Sequence, residues 1–92
     1  MLYMVIATWE PAQRDAVVKR FGTLGPKVPG GGKVLGLWTD VSRGRTFSLE
    51  DWPPVADAKI IFEAHFPYTD LVNFESVPVM ETEEVMKLIP KG

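Results

Sequence analysis

The sequence contains no cysteine, and this absence limits what the chain can do. No disulfide can support the fold, no thiolate can act as a nucleophile, and the composition fits a reducing compartment. Histidine occurs once, at position 65, so there is no second histidine or cysteine to complete a typical zinc site. We therefore expect neither a bound metal nor a cofactor.

Two further absences exclude classes of partner. The basic residues form no cluster and the formal net charge is −2, so nucleic-acid binding has little electrostatic support. The apolar N-terminal stretch MLYMVIATW has no preceding basic region and no small-residue cleavage site, and it is too short to span a bilayer. We expect a cytoplasmic protein that binds neither nucleic acid nor membranes.

The chain is short for its hydrophobic content. Its 92 residues predict one domain spanning residues 1–92. A domain of this size buries only about 60% of its unfolded surface, and small domains without disulfides often gain stability by association. Because 46% of the residues are hydrophobic, apolar surface remains for an interface beyond the core.

The first apolar stretch, Leu2 to Trp9, predicts a central strand. Its residues are apolar at consecutive positions, which is typical of a strand that is covered on both faces. A monomer of this size can cover one face of its sheet with helices. The other face then needs a second copy, and this is the first indication of a homodimer.

Proline, glycine and periodicity divide the rest of the chain. Right-handed crossovers place the first and third strands at the centre of the sheet, and Pro78 favours an edge position or a bulge for the last strand. The order is β-α-β-β-α-β with a short C-terminal helix, an α+β plan of the ferredoxin-like kind. The predicted elements after the first strand are a helix at 12–21 stopped by Gly22, strands at 33–40 and 45–50, a helix from about Pro54 to residue 65 or 66, a strand at 71–80 and a helix at 81–88.

The two middle strands predict a hairpin with a turn at 41–44, in which Gly44 is available for a positive φ angle. Asp40 then lies opposite Arg45, and these opposite charges favour the register. The two faces of the hairpin follow from it: one carries Trp38, Phe47 and Leu49 with space over Gly36, and the other carries Leu35, Leu37, Ser48 and Glu50.

Four stretches carry a resemblance to a known group: MLYMVIATWEPAQRDAVVKRF, LGLWTD, the F-x-L-E of residues 47–50, and LVNFESVPV. Together they resemble a bacterial family of undescribed function within the dimeric α/β-barrel superfamily. The resemblance implies a homodimer in which two four-stranded sheets pair face to face, with the helices outside. It also implies a small-molecule cavity between each sheet and its helices. Some superfamily members are cofactor-independent monooxygenases, and others are isomerases, haem-binding enzymes or proteins without a known reaction.

Three polar residues are candidates for catalysis. His65, near the end of the second helix, can shuttle a proton or ligate haem, or it is a partly buried side chain hydrogen-bonded at a helix end. Glu50 ends a strand, where a carboxylate facing a cavity would have a raised pKa and act as a base, or would be solvated. Asn73 stands in an otherwise apolar strand, and if buried it needs a partner from a ligand or a neighbouring chain.

Five aromatic residues predict a ligand pocket suited to a planar molecule, although aromatic residues at such spacings also form ordinary core. They are Trp38, Phe47, Phe62, Phe66 and Tyr68. Three functions remain open from the sequence: a protein that binds a small apolar or aromatic molecule, a cofactor-independent monooxygenase or isomerase, and a structural or interaction domain without a ligand.

Overall fold

The structure is a computed structural model that describes residues 1–24, 31–40, 42–54 and 58–90, with Ala58 described by its backbone only. It is a small α+β arrangement of one four-stranded antiparallel sheet with helices. Short 3₁₀ turns at Pro11–Gln13 and Phe66–Tyr68 flank the helices. The main elements are β1 (Leu2–Thr8), α1 (Arg14–Leu24), β2 (Lys33–Asp40), β3 (Arg45–Asp51), α2 (Ala58–His65), β4 (Asn73–Val79) and α3 (Thr82–Met86).

The strand order is β2-β3-β1-β4, and every neighbouring pair is antiparallel. β3 and β1 therefore occupy the two central positions. β4 is an edge strand, which confirms the edge position favoured by Pro78. Proline has no N–H to donate, and an edge strand pairs with a neighbour on one side only. None of the helices in the described parts of the chain is long and apolar enough to cross a bilayer.

The predicted hairpin register is confirmed. Asp40 pairs with Arg45, Trp38 with Phe47 and Gly36 with Leu49, and Arg45 Nε donates to Asp40 Oδ2 at 2.8 Å. A β-bulge between Val34 and Gly36 shifts the start of β2, so Val34 and not Leu35 lies opposite Glu50. The space predicted over Gly36 is occupied by the Trp38 indole, since a Cβ on Gly36 would meet that ring at 2.3 Å.

Two predictions about glycines are wrong. Gly22 does not stop the first helix, because α1 continues through it to Leu24. Gly44 does not adopt a positive φ; in the described residues only Gly31 does. Gly44 instead lies against Trp9: the Trp9 amide donates to the Gly44 carbonyl at 2.9 Å, and a Cβ on Gly44 would sit 2.6 Å from the Trp9 carbonyl oxygen.

The helices pack on one face of the sheet. Val5 on β1, Val17 on α1, Ala64 on α2, and Val72 before β4 are all buried there, together with Trp52 just after β3. The helix predicted from Pro54 begins at Ala58 in the described part of the chain, and residues 55–57 of the prediction lie outside the described residues. The smallest dimension of the molecule, 17 Å, fits one sheet with one layer of helices.

The opposite face of the sheet, here called the open face, carries apolar side chains on all four strands that are not buried. The pairing register places on it side chains from all four strands, and none of them is in the buried core. Trp38 is the most exposed of the ring-bearing residues there, with 55% of its surface accessible. The apolar residues of the open face are Leu2, Met4, Ile6, Trp38, Phe47, Leu49, Val77 and Val79. The same register places Glu75 opposite Ile6 on this face, and Thr8, Lys33, Asp40, Arg45, Asp51 and Asn73 at its two ends.

Candidate functional site

A cavity of about 100 Å³ lies between the sheet and the helices. Apolar side chains form most of its wall, and they come from β1, α1, β2, α2 and β4. Its polar side is β3, because strand alternation points Thr46, Ser48 and Glu50 to the same face. The apolar lining residues are Val5, Ala7, Trp9, Val17, Phe21, Val34, Leu37, Ala64, Val72 and Phe74, and the polar ones besides those of β3 are His65 and Tyr68.

Glu50 is the one charged residue among the buried side chains of the described residues, with 3% of its surface exposed. Its carboxylate accepts a hydrogen bond from Trp52 Nε1 at 3.0 Å. The Nε2 atom of His65 lies 3.3 Å from Oε1 and 3.4 Å from Oε2, and Ser48 adds a further side-chain hydrogen bond. The buried carboxylate is therefore satisfied by three neighbouring side chains.

These contacts decide the ionisation of Glu50. Burial raises the pKa of its carboxyl, but the hydrogen bond and charge of His65 and the bonds from Trp52 and Ser48 outweigh burial, so the pKa lies below its ordinary value. The prediction that this cavity-facing carboxylate has a raised pKa is therefore wrong. A carboxylate held ionised by its partners is a weak base, and its geometry suits it to orienting the imidazole of His65.

His65 belongs to the last turn of α2 and is fixed from two sides. Its ring stacks on Phe74 of β4, with centroids 4.8 Å apart and planes 23° from parallel, while Nε2 faces Glu50. Tyr68 packs edge-on against the same Phe74 at 6.4 Å. Burial raises the pKa of the Tyr68 phenol, so its hydroxyl stays neutral at physiological pH and can donate a hydrogen bond.

The structure brings together only some of the predicted site residues. His65, Glu50 and Tyr68 line the cavity. Asn73 is exposed at the start of β4, opposite Thr8, and is oriented towards the open face. Four of the five predicted pocket aromatics lie elsewhere: Trp38 and Phe47 are on the open face, and Phe62 and Phe66 form an exposed pair on the outside of the helix layer, with centroids 5.6 Å apart.

The site also contains residues that the sequence-based prediction did not include. Trp52 donates a hydrogen bond to the Glu50 carboxylate, and Ser48 and Thr46 supply hydroxyls to the cavity wall. The pattern Thr46-x-Ser48-x-Glu50 on a strand is a signal for a polar stripe, since alternate residues share a face. No group of three or more metal-ligating side chains occurs in the part of the chain that the structure describes.

The fold and the cavity together define a class: a small α+β protein whose antiparallel sheet is covered by helices on one side and holds a buried carboxylate–imidazole pair beneath them. Compared with protein-family models, the chain matches over residues 1–92 the family described as Domain of unknown function (DUF3303), and it belongs to that family. Comparisons with curated proteins and with solved structures give no match.

Proposed function

We propose that this protein binds a small, largely apolar molecule in the cavity between its sheet and helices. The observation that carries the proposal is the composition of the cavity wall: apolar side chains on most sides and a stripe of hydroxyls beside Glu50 and His65 on one. Ligand pockets typically combine such apolar walls with a few polar groups that fix the orientation of the ligand.

The size and chemistry of the cavity narrow the ligand class. Its volume of about 100 Å³ is about two thirds of that of an engineered apolar cavity of about 150 Å³ that binds benzene. Because Trp52, Ser48 and His65 already bond to Glu50, the carboxylate is poorly suited to binding a cationic ligand. The Thr46 hydroxyl is suited to one polar group of a neutral aromatic ring, such as phenol.

A thermal-shift titration with phenol and benzene tests this proposal. A ligand present at ten times its Kd stabilises the folded state by about 1.4 kcal/mol, which raises Tm by several degrees for a domain of this size. Ala7→Leu fills the cavity and should abolish the shift, whereas Ala16→Leu on the exposed side of α1 should leave it unchanged. No shift with either probe, or an equal shift in both variants, would refute binding in this cavity.

The quaternary structure forms a second part of the proposal. The strand order and antiparallel pairing support a ferredoxin-like fold, and the open face supports a homodimer in which two sheets stack as a dimeric α/β barrel. Side chains such as Met4 and Leu49 occupy central strands yet remain accessible in one chain. A second sheet would remove them from water. The cellular site of such a dimer is proposed to be the cytoplasm.

One observation favours an alternative function, acid–base catalysis on a ligand in the same cavity. The Glu50 carboxylate holds the His65 imidazole in a fixed orientation, as carboxylates do for catalytic histidines. His65 would accept a proton from a carbon beside a carbonyl and return it, while Glu50 stabilises the imidazolium. Cyclopentanone has a suitable size as a probe, and NMR detects exchange of its α-protons in D₂O.

The exchange assay separates catalysis from binding. Under the catalytic alternative, exchange runs faster than in buffer and is lost in His65→Gln, while Glu63→Gln on the exposed side of α2 retains it. If cyclopentanone shifts the Tm but its protons exchange at the buffer rate, the protein is a binder without this chemistry.

A further inference from the structure

The C-terminal segment, residues 80–90, hereafter the arm, has no buried residue. It follows β4 and contains the short helix α3, and all eleven of its residues are exposed. Several are large and apolar, and Leu88 exposes 71% of its surface. Exposed apolar side chains in one contiguous segment are typical of a surface that contacts another protein. The exposed apolar residues of the arm are Met80, Val85, Met86, Leu88 and Ile89.

The arm is also unsuited to holding its shape alone. α3 has five residues and no side-chain cap at its N-terminus. Isolated helices shorter than about 12–15 residues are marginal in water, and most helical stability comes from packing of an apolar side. Val85 lies in α3, and Leu88 and Ile89 lie in the turns that follow it; all three are exposed. The arm therefore has apolar side chains to pack, and none of its residues is buried against the described part of its own chain.

The dimensions of the molecule agree with an arm that lies beyond the sheet. The radius of gyration is 15.1 Å, whereas a compact chain of this length has about 12 Å. The longest extent is 53 Å, more than twice the roughly 23 Å of a seven-residue strand. Folding the arm back over its own sheet would shorten the molecule.

The sheet register shows where the arm leaves. Val79 at the end of β4 lies opposite Leu2, Leu2 lies opposite Asp51, and Asp51 lies opposite Lys33 at the start of β2. The arm therefore emerges at the end of the sheet where β2 begins, but from the opposite edge. In a face-to-face dimer with a two-fold axis parallel to the strands, β4 of one copy lies across from β2 of the other. The arm then meets the start of the partner's β2.

That surface is complementary to the arm in polarity and charge. Leu35 projects from the β-bulge of β2 and is 55% exposed, and it adjoins Lys33. Within the described residues Lys33 makes no ion pair, and neither do Glu81 and Glu83 of the arm. In such a dimer, apolar residues beside two carboxylates would face an apolar residue beside an ammonium group.

We propose that the arm crosses to a second copy of this chain and packs on the start of that copy's β2, with its apolar side on the partner's Leu35 and its acidic residues beside the partner's Lys33. This inference rests on the proposed dimer. In this arrangement the arm of each copy packs on the other copy, so the interface is reciprocal, as two-fold symmetry requires.

Cysteine cross-linking tests the arm directly, because the natural chain has no cysteine to interfere. Leu88→Cys and Leu35→Cys are purified separately, one with a mass tag, then mixed at micromolar concentration and oxidised mildly. The mixed disulfide should form at least tenfold more efficiently than from Leu35→Cys with Val18→Cys, a matched exposed residue on α1. Equal yields from the two mixtures in a protein that sediments as a dimer would overturn the arm and leave the dimer standing. A monomer would overturn both.

A charge reversal provides the second measurement without altering the apolar contact. Lys33→Glu should raise the Kd of the dimer about two- to fivefold at low salt and less at high salt, as expected for an exposed ion pair. Arg43→Glu, at the other end of the hairpin, changes the net charge equally and should have no such effect. Equal effects of the two variants would overturn the assignment of the acidic residues to Lys33.

Discussion

Glu50 shows how one residue takes its properties from the strand that carries it. Alternation along β3 directs it under the helices with Ser48, and the chain then turns so that Trp52 donates back to it. His65 reaches the same carboxylate from α2, so Glu50 joins the sheet to the helix layer as well as lining the cavity. A buried charge is tolerated only with such partners, and removing one of them leaves the others unsatisfied.

The first prediction concerns this joint. Glu50→Gln keeps the size of the side chain but places an amide NH₂ among groups that donate, so we expect the free energy of unfolding to fall by about 1–3 kcal/mol. Urea unfolding at pH 7 measures it. Glu63→Gln, which weakens only an exposed ion pair with Lys59, should change stability by less than about 0.5 kcal/mol. Equal effects of the two variants would contradict a structural role for the Glu50 carboxylate.

The second prediction is the pH dependence of the same residue. The pKa of Glu50 is lower in the folded than in the unfolded chain, so its ionised form stabilises the fold. That contribution is complete above the unfolded value of about 4.5 and is lost as pH falls through the folded pKa. The stability difference between wild type and Glu50→Gln should therefore be largest near neutral pH and shrink below about pH 4.5. A difference that grows on acidification would contradict the sign of the shift.

At the scale of elements, the turn between β2 and β3 depends on contact with Trp9. Gly44 is needed there for close approach, since any Cβ would press on the Trp9 backbone and ring. Gly22 in α1 is the opposite case: a Cβ there would meet nothing within 4 Å. The two glycines therefore form a matched pair in which the same substitution has opposite expected results.

The third prediction uses this pair. Gly44→Ala should destabilise the protein by about 1–3 kcal/mol, because the backbone of Trp9 or of the turn must move. Gly22→Ala should stabilise it by about 0.5–1 kcal/mol, because alanine favours the helix and restricts the unfolded chain. Thermal unfolding of both variants measures the two signs. Loss of stability on Gly22→Ala would show that α1 does not continue through that position as described.

The elements also show how far local patterns reach. Opposite charges at Asp40 and Arg45 and the length of the turn were enough to predict the hairpin register. The β-bulge was not predictable from strand alternation, and it places Val34 in the cavity wall where alternation predicted Leu35. Of the residues that line the cavity, the sequence predicted Glu50, His65 and Tyr68 as site residues. Phe62 and Phe66 were misplaced because their orientation depends on the rotation of α2, which Ala64 fixes by packing inward.

At the scale of the whole molecule, the two faces of the sheet differ in what covers them. The helices close one side of the sheet over the cavity, while the open face leaves apolar side chains of central strands accessible. The sequence offers the same amount of apolar surface to both sides of β1, as a strand buried on both faces requires. A single chain of 92 residues satisfies only half of that requirement, so the consecutive apolar residues of β1 favour a second copy over a larger monomeric core.

The last prediction tests the proposed dimer with two aromatic residues of equal exposure. Trp38 on the open face and Phe62 on the outside of α2 each expose 55% of their surface. If the open face is the interface, Trp38→Lys places a charge among desolvated side chains and should raise the dimer Kd by about 30-fold or more, as for a tryptophan hot spot of about 2 kcal/mol. Phe62→Lys should leave the Kd unchanged, because its side of the helix layer stays in water. Sedimentation equilibrium measures both values. A larger effect of Phe62→Lys would move the interface to the helices and would require another explanation for the apolar side chains of β1 on the open face.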